Sequence, residues 1–248
     1  MRIKTTIAAA LALVGASMLV ASAFAGTSGT AASSSAAAKK GGTLRINVPD
    51  SDFEYVDPGL SYDTLGWSMI YSTNMMLANY PEKPGAAGAK LYPEAAEAFP
   101  TISKDGKTYV WKIRKGLKFS DGSAVTAAAF KRALERNLSP KMGQGSTMGV
   151  NVHMDELIQG GKAYLEGKSQ TLSGVKAVGQ VLTVKLTKPD PTFVSILAMQ
   201  WYTAVKPNTP FTDKGLDNYP AAGPYYIKSR DAGRTLLGAA HRDREAGG

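Results

Sequence analysis

The sequence predicts a mixed α/β (α+β) fold, because strand-like and helix-like segments alternate along the chain. Residues 108–114, TYVWKIR, alternate between apolar and polar side chains and lie between two Asp-Gly turns, which is typical of strands. Residues 126–134 instead place Phe130, Ala133 and Leu134 at helical spacing. With 44% hydrophobic and 20% charged residues, the 248-residue chain can form a buried core in one or two domains.

A secretory signal peptide is predicted at residues 1–25. The basic start MRIK precedes a run rich in alanine, leucine and valine, and Ala23-Phe24-Ala25 matches the small-residue cleavage pattern. The apolar run is also just long enough to span a membrane, so an uncleaved anchor is the alternative. We favour cleavage, which predicts an exported protein, periplasmic or extracellular. The chain has no cysteine, which excludes lipid attachment after the run.

A flexible linker is predicted at residues 26–42, where small and polar residues cannot bury enough surface to become ordered. The ordered part is predicted to begin with GTLRINVP, a short strand with Leu44 and Ile46 on one face.

The next predicted element is a helix that begins at a cap formed by Ser61 or Asp63 and continues to about Asn79. Pro81 and Pro84 would end it. No cysteine or histidine accompanies its methionines, so they fit a packed core better than a metal site. The apolar stripe of this helix would consist of Leu65, Met69, Met76 and Leu77.

Residues 103–123 combine two Asp-Gly turns with a strand whose cations share one face. Lys112 and Arg114 alternate with the apolar residues, so they are predicted to decorate the solvent side of a sheet. The net charge is +9, but its cations are spread along the chain rather than concentrated on one element, so nucleic-acid binding is not predicted. The half-buried face of the strand would carry Tyr109, Trp111 and Ile113.

Three elements are predicted downstream of the helix that starts at Thr126. A helix in residues 154–167 is interrupted or weakened by Gly160-Gly161. Two strands follow around the Gly179-Gln180 turn. Asp190-Pro191 then begins a short helix, PTFVSILAMQ.

The sequence gives little support to catalysis, so an enzyme is not predicted. His153 and His241 are the only histidines, and no nucleophile, phosphate-loop or zinc-protease motif is present. The pairs Asp50/Asp52 and Glu54/Asp57 could act as acid–base carboxylates, although a solvated loop is the preferred interpretation. Neither a cofactor nor a metal is therefore predicted.

The order of several segments resembles the extracellular solute-binding proteins of family 5, the peptide, dipeptide and nickel-type receptors of ATP-driven importers. The central run, LYPEAAEAFPTISKDGKTYVWKIRKGLKFSDGSAVTAAAFKRALER, is the most specific part. The likeness covers residues 42–237 and includes GGTLRI, VDPGLSYDT, SGVKAVGQVLTVKL and AAGPYYI. It implies a periplasmic-binding-protein-like fold of type II (cluster C), in which two lobes close around a solute and dock on a membrane permease.

The sequence departs from the family pattern at two places, with a small expected consequence at the first and a large one at the second. Ala129 stands where the family has an acidic partner for the cap residue Thr126, which should lower stability by about 1 kcal/mol or less. After residue 237 the chain continues GAAHRDREAGG, where the family pattern would lead into a second lobe. We therefore expect the N-terminal lobe alone at residues 43–237, an aberrant tail at 238–248, and the second lobe missing.

The resemblance also implies residues that line the ligand cleft. An acidic side chain just before VDPG could pair with a cationic ligand group, but a solvated loop carboxylate is equally plausible. Tyr62 could lie nearby or pack at the helix entry, and Trp201 and Tyr202 could stack on a ligand or fill the core. The predicted ligand-binding residues are Ser51, Asp52, Phe53, Glu54, Tyr62, Trp201 and Tyr202.

The predicted function is that of an extracytoplasmic solute-binding protein of a peptide-type ABC importer. It would act as a monomer and deliver peptides to membrane permease subunits, with binding impaired in a truncated fragment. Peptides lead as the ligand class, with nickel chelates and sugars as alternatives. An exported hydrolase and a non-functional truncated product are the alternative functions.

Overall fold

The computed structural model describes residues 42–46, 53–143, 145–231 and 235–240, with side chains left out of the description at 145–147. The chain divides into two compact units, residues 1–46 and 47–248. In the first unit, residues 42–46 form no strand, and Leu44 and Ile46 are exposed. The strand predicted there is therefore wrong within the described residues, because a strand is stable only when a neighbour pairs with its backbone. The predicted signal peptide, most of the predicted linker and residues 241–248 lie outside the description.

The second unit contains both helices and strands, which confirms the predicted mixed fold. Its helices are α1 (Thr64–Thr73), α2 (Ala127–Leu138), α3 (Gly145–Asn151), α4 (Met154–Leu157), α5 (Gly161–Leu165) and α6 (Phe193–Ile196). Its strands are β1 (Ala78–Asn79), β2 (Tyr92–Pro93), β3 (Thr101–Ile102), β4 (Thr108–Lys112), β5 (Val175–Val178), β6 (Val181–Lys185), β7 (Tyr225–Asp231) and β8 (Thr235–Ala240). Short 3₁₀ turns occupy Gly85–Ala87, Pro140–Met142 and Gln200–Tyr202.

The largest sheet has the antiparallel order β3-β4-β6-β5. Tyr109, Trp111 and Ile113 are buried, whereas Val110 and Lys112 are exposed, so the predicted alternation is confirmed. The Asp-Gly hairpin is also present, with Gly106 at φ 69° in the turn. This positive φ is readily adopted by glycine, which lacks a Cβ.

Helix α2 and its predicted apolar face are observed, and the helix packs on the sheet. It begins after Thr126, and Phe130, Ala133 and Leu134 are all buried. The Thr126 side chain makes no capping hydrogen bond, and Ala129 is fully buried in the core. Together with β4 and β6, this helix forms the centre of the main hydrophobic cluster.

The second predicted hairpin and the broken helix are also observed. Val178 pairs with Val181 across the Gly179-Gln180 turn, and Gly179 has φ 56°. Residues 158–160 separate α4 from α5, as the glycine pair predicted. The helix predicted after Asp190-Pro191 is much shorter than expected, since α6 has only four residues.

Helix α1 is capped by Asp63 but ends at Thr73, well before the predicted Asn79. Met76 and Leu77 are buried as predicted, but in extended backbone rather than on a helical stripe. The Gly223 N–H donates to the Thr73 carbonyl at 2.8 Å, and the Ala95 N–H donates to the Met76 carbonyl at 3.0 Å. The carbonyls of Thr73 and Met76 therefore accept from distant segments instead of from the next turn of a longer helix.

Strands β7 and β8 form an antiparallel hairpin near the end of the described chain. Tyr225 pairs with Ala240, and Asp231 pairs with Thr235. The boundary predicted between residues 237 and 238 falls inside β8, so it does not coincide with the end of a strand.

Candidate functional site

The predicted binding segment leads into α1. Ser51 and Asp52 lie outside the described residues. Phe53 is half-buried, Glu54 is exposed, and the Tyr62 side chain is 56% exposed. Glu54 and Tyr62 are thus the two predicted residues that the described structure presents most openly to solvent.

A buried ion pair fixes the middle of this segment. Asp57 and Arg136 are almost completely buried and form two parallel bonds, Nη1 to Oδ1 at 2.7 Å and Nη2 to Oδ2 at 2.8 Å. Asp57 Oδ1 also accepts from the Gly59 N–H at 2.9 Å, and Arg136 Nε donates to the Pro210 carbonyl at 3.0 Å. Asp57 is therefore a structural anchor, and the solvated-loop interpretation is wrong for this carboxylate.

Tyr219 ties the same segment to the end of α1. Its hydroxyl donates to the Val56 carbonyl at 3.1 Å and accepts from Asn74 Nδ2 at 2.8 Å. Burial raises the pKa of the Tyr219 phenol, so the neutral hydroxyl that makes both bonds is maintained. In addition, Arg230 from β7 donates to the Phe53 carbonyl.

Three aromatic rings meet where the segment enters α1. Tyr62 stacks on Trp201 with centroids 6.0 Å apart and planes within 6°, and Trp67 meets both rings edge-on, at 5.8 Å from Tyr62 and 5.9 Å from Trp201. Both indole N–H groups donate to the Ser61 carbonyl, at 3.0 Å from Trp67 and 2.8 Å from Trp201. We call Tyr62, Trp67 and Trp201 the aromatic cluster. Trp67 was missed by the sequence reasoning, because its helical position alone does not indicate an aromatic partner from residue 201.

Tyr62, Trp201 and Tyr202, three of the four predicted aromatic residues, differ in accessibility. The Trp201 side chain is 6% exposed and supports the Tyr62 ring from beneath. Tyr202 is 2% exposed and belongs to the core, so the packing alternative describes it better than ligand stacking. Of the predicted aromatic residues, only Tyr62 therefore offers a largely open surface.

Helix α1 extends this surface through Tyr71, which is one helical turn beyond Trp67. Its hydroxyl lies 3.5 Å from Gln200 Oε1, in the turn that carries Trp201. Partial burial, and then the neighbouring Tyr80, raise the pKa of the Tyr71 phenol. An uncharged aromatic surface of this kind can stack on planar or cationic groups.

The described residues include no group of three or more histidine, cysteine, aspartate or glutamate side chains that could hold a metal ion. His153 caps α4 by its backbone position, without a side-chain capping bond, and lies in a different part of the chain from the aromatic cluster. None of the helices in the described ranges has the length and apolar character needed to cross a bilayer.

Comparison with solved structures identifies the class of fold. The substrate-binding domain of an oligopeptide ABC transporter from Bacillus anthracis matches 77% of this chain with a TM-score of 0.64 and 26% identity. The clavulanic acid biosynthesis oligopeptide binding protein 2 matches 77% with a TM-score of 0.67 at 23% identity. The likeness covers 36% and 34% of those chains. The chain therefore has a periplasmic-binding-protein-like fold and corresponds to one part of these larger proteins.

Sequence comparison then identifies the family. Residues 90–243 match the bacterial extracellular solute-binding proteins, family 5 (middle region), and the chain belongs to this family. It is 32% identical over 153 residues to the dipeptide-binding protein DppE of Bacillus subtilis, and 31% identical over 191 residues to the oligopeptide-binding protein OppA of the same species. These alignments cover 60% and 74% of this chain, but only 26% and 33% of the two relatives.

Proposed function

We propose that this chain belongs to a peptide-binding receptor of an ABC importer, which captures peptides outside the membrane and delivers them to permease subunits. The observation that carries the proposal is the family match over residues 90–243, together with relatives that are named for dipeptide and oligopeptide binding. The predicted export signal, periplasmic or extracellular location and monomeric state belong to the same proposal.

The proposed ligand surface consists of residues 51–54 and Tyr62, with Trp201 as its support. The Asp57–Arg136 pair and the Tyr219 hydroxyl hold the segment in place from the core side. Glu54 can accept a charge-assisted hydrogen bond from a peptide ammonium group, and the open face of Tyr62 can stack on a peptide side chain. A fixed backbone lowers the ordering cost of such contacts.

We further propose that strong binding requires more than the present chain supplies. A receptor that closes two lobes around its ligand derives affinity from the closed state. The alignment with OppA covers 33% of that relative, and we propose that this chain forms one wall of such a cleft. The residues of this chain, tested alone, are therefore proposed to bind peptides only weakly.

Tryptophan fluorescence offers a direct test, because two of the three tryptophans flank Tyr62. We expect dipeptides and tripeptides to change the emission only at high concentration, and Tyr62→Ala to abolish the change. Tyr92→Ala, at a partly exposed tyrosine on β2, is the matched control and should respond like the unchanged chain. Tight binding of a peptide would contradict the proposed impairment, and no response to any peptide would contradict the proposed surface. Hydrolysis of the peptides would favour the hydrolase alternative.

A further inference from the structure

A second concave site lies away from the aromatic cluster, between the α3–α4 junction and the segment that leads into α6. It is a half-open cleft of about 430 Å³. This volume is within the range of roughly 300–1,000 Å³ that is usual for small-molecule sites. No residue of the aromatic cluster or of residues 53–63 lines it.

Part of the cleft lining is apolar. Val152, Leu157 and Ile196 line it, and Leu157 belongs to the main hydrophobic cluster. Val152 and Ile196 are partly buried and pack against that cluster. An apolar side chain of a ligand could therefore be taken out of water against a surface that is continuous with the core.

The rim of the cleft carries both signs of charge. Lys188 and Glu156 line it and are exposed, and neither takes part in a salt bridge within the part of the chain that the structure describes. Asp190 and His153 are the other ionisable groups of the lining. An ammonium and a carboxylate on the same rim are complementary to the carboxylate and the ammonium of a zwitterion.

Hydrogen bonds join α4 to the segment after β6 and fix Asp190 within that segment. The Thr187 hydroxyl donates to the Glu156 carbonyl at 2.8 Å, and the buried Tyr109 hydroxyl donates to the Asp190 carbonyl at 2.8 Å. Asp190 Oδ1 in turn accepts from the Thr192 N–H at 2.7 Å and from its hydroxyl at 2.6 Å. The cleft therefore needs little reorganisation before it can accept a ligand.

We propose that this cleft binds a free apolar α-amino acid in its zwitterionic form. Lys188 would pair with the ligand carboxylate, Glu156 with its ammonium group, and the apolar part of the lining would cover the side chain. A fatty acid would form no ion pair with Glu156, and an amine without a carboxylate would form none with Lys188, so each should bind somewhat more weakly than the zwitterion. Because the cleft is half open and its charged groups are solvated, the affinity should be weak, in the millimolar range.

Amide NMR of the full 248-residue chain, titrated with L-leucine, tests the proposal. We expect saturable shifts confined to residues 152–157 and 188–196. N-acetylleucine lacks the ammonium group, leucinamide lacks the carboxylate and glycine lacks the apolar side chain, so each should bind more weakly. These ligand variants leave the protein unchanged, and their result does not depend on the folding of any mutant.

Two protein variants test whether Lys188 and Glu156 pair with the charged groups of the ligand. Lys188→Gln and Glu156→Gln should each weaken leucine binding roughly threefold to fivefold. Lys104→Gln and Glu82→Gln, at exposed positions elsewhere in the chain, are the matched controls and should leave it unchanged.

Three results would overturn the proposal. The first is the absence of saturable shifts at the cleft. The second is equal binding of leucine, N-acetylleucine and leucinamide. The third is leucine binding by Lys188→Gln and Glu156→Gln that is as strong as binding by the unchanged chain. Shifts around Tyr62 and Trp67 alone would support the proposed peptide surface but contradict the amino-acid site, so the two proposals fail independently.

Discussion

Residues 53–63 and the sheet β3-β4-β6-β5 represent two different ways of fixing a structure. The sheet is held mainly by apolar side chains that alternate along its strands, such as Tyr109 and Trp111 on β4. Residues 53–63 form no strand or helix and are held instead by polar partners far along the chain, including Arg136 and Tyr219. The comparison shows that a segment without regular structure can still be anchored firmly, provided that its buried polar groups are paired.

The two regions should therefore respond differently to substitution. Loss of an apolar side chain from the sheet removes buried area and leaves a cavity. Loss of one partner from residues 53–63 leaves a buried charge or hydrogen-bonding group without its complement. Three predictions test this contrast, from the largest effect to the smallest, and a fourth concerns a surface ion pair outside both regions.

Arg136→Ala should have the largest effect and lower the free energy of unfolding by about 3–5 kcal/mol, because it leaves Asp57 charged and buried. Chemical denaturation with urea measures this loss. The double variant Asp57→Leu/Arg136→Met should recover a large part of the stability, since neither charge remains. If the double variant is as unstable as Arg136→Ala, the loss of stability comes from the packing of Arg136 rather than from the buried charge of Asp57.

Leu182→Ala should lower the free energy of unfolding by about 2–4 kcal/mol, because Leu182 is completely buried opposite Trp111. Val181 is the adjacent residue on β6, and its side chain is 40% exposed. Val181→Ala should change the stability by about 0.5 kcal/mol or less. Equal losses for the two variants would contradict the face assignment of β6.

Tyr219→Phe should lower the free energy of unfolding by about 1–2 kcal/mol, because the Val56 carbonyl loses this donor and the Asn74 amide keeps only its bond to the Thr73 hydroxyl. Tyr202→Phe is the matched control. Its hydroxyl is buried and has no hydrogen-bond partner among the described residues, so its removal should be neutral or stabilising. A large loss in Tyr202→Phe would reveal a partner that the structure does not contain.

The smallest effect is expected at Asp121, in the second Asp-Gly turn. Partial burial raises the pKa of its carboxyl, but hydrogen bonds from Lys206 and Ser123 outweigh this and lower it to about 2, from an ordinary value of 3.8. The lowered pKa contributes stability that is present above pH 3.8 and is lost as the pH falls towards 2. Because the side chain is 34% exposed, we expect about 1 kcal/mol or less.

Denaturation curves between pH 2 and 5 measure this contribution. The loss of stability on acidification should be smaller in Asp121→Asn than in the unchanged chain. Glu82→Asn, at an exposed residue with no salt bridge in the described part of the chain, is a suitable control. Identical acid dependence of Asp121→Asn and the unchanged chain would contradict the proposed pairing with Lys206.

Much of the sheet and of α2 was predictable from the sequence. The alternation in TYVWKIR, the glycine turns and the spacing of Phe130, Ala133 and Leu134 are local signals, and the structure confirms each of them. Helix α1 was only partly predictable. Asp63 was recognised as a possible cap, but the end at Thr73 depends on the backbone of Gly223, which is distant in sequence.

The candidate site was less predictable than the fold. The family resemblance drew attention to residues 51–54, Tyr62 and Trp201, but no local pattern indicated that Trp67 would meet Trp201 or that Asp57 would be buried. The sequence alone determined the mixed class of the fold, the strand faces and the turns, because these follow from short-range periodicity and backbone preference. Only the tertiary structure decided which polar groups are anchors and which aromatic faces remain open, because pairing and exposure depend on residues that the chain brings together from afar.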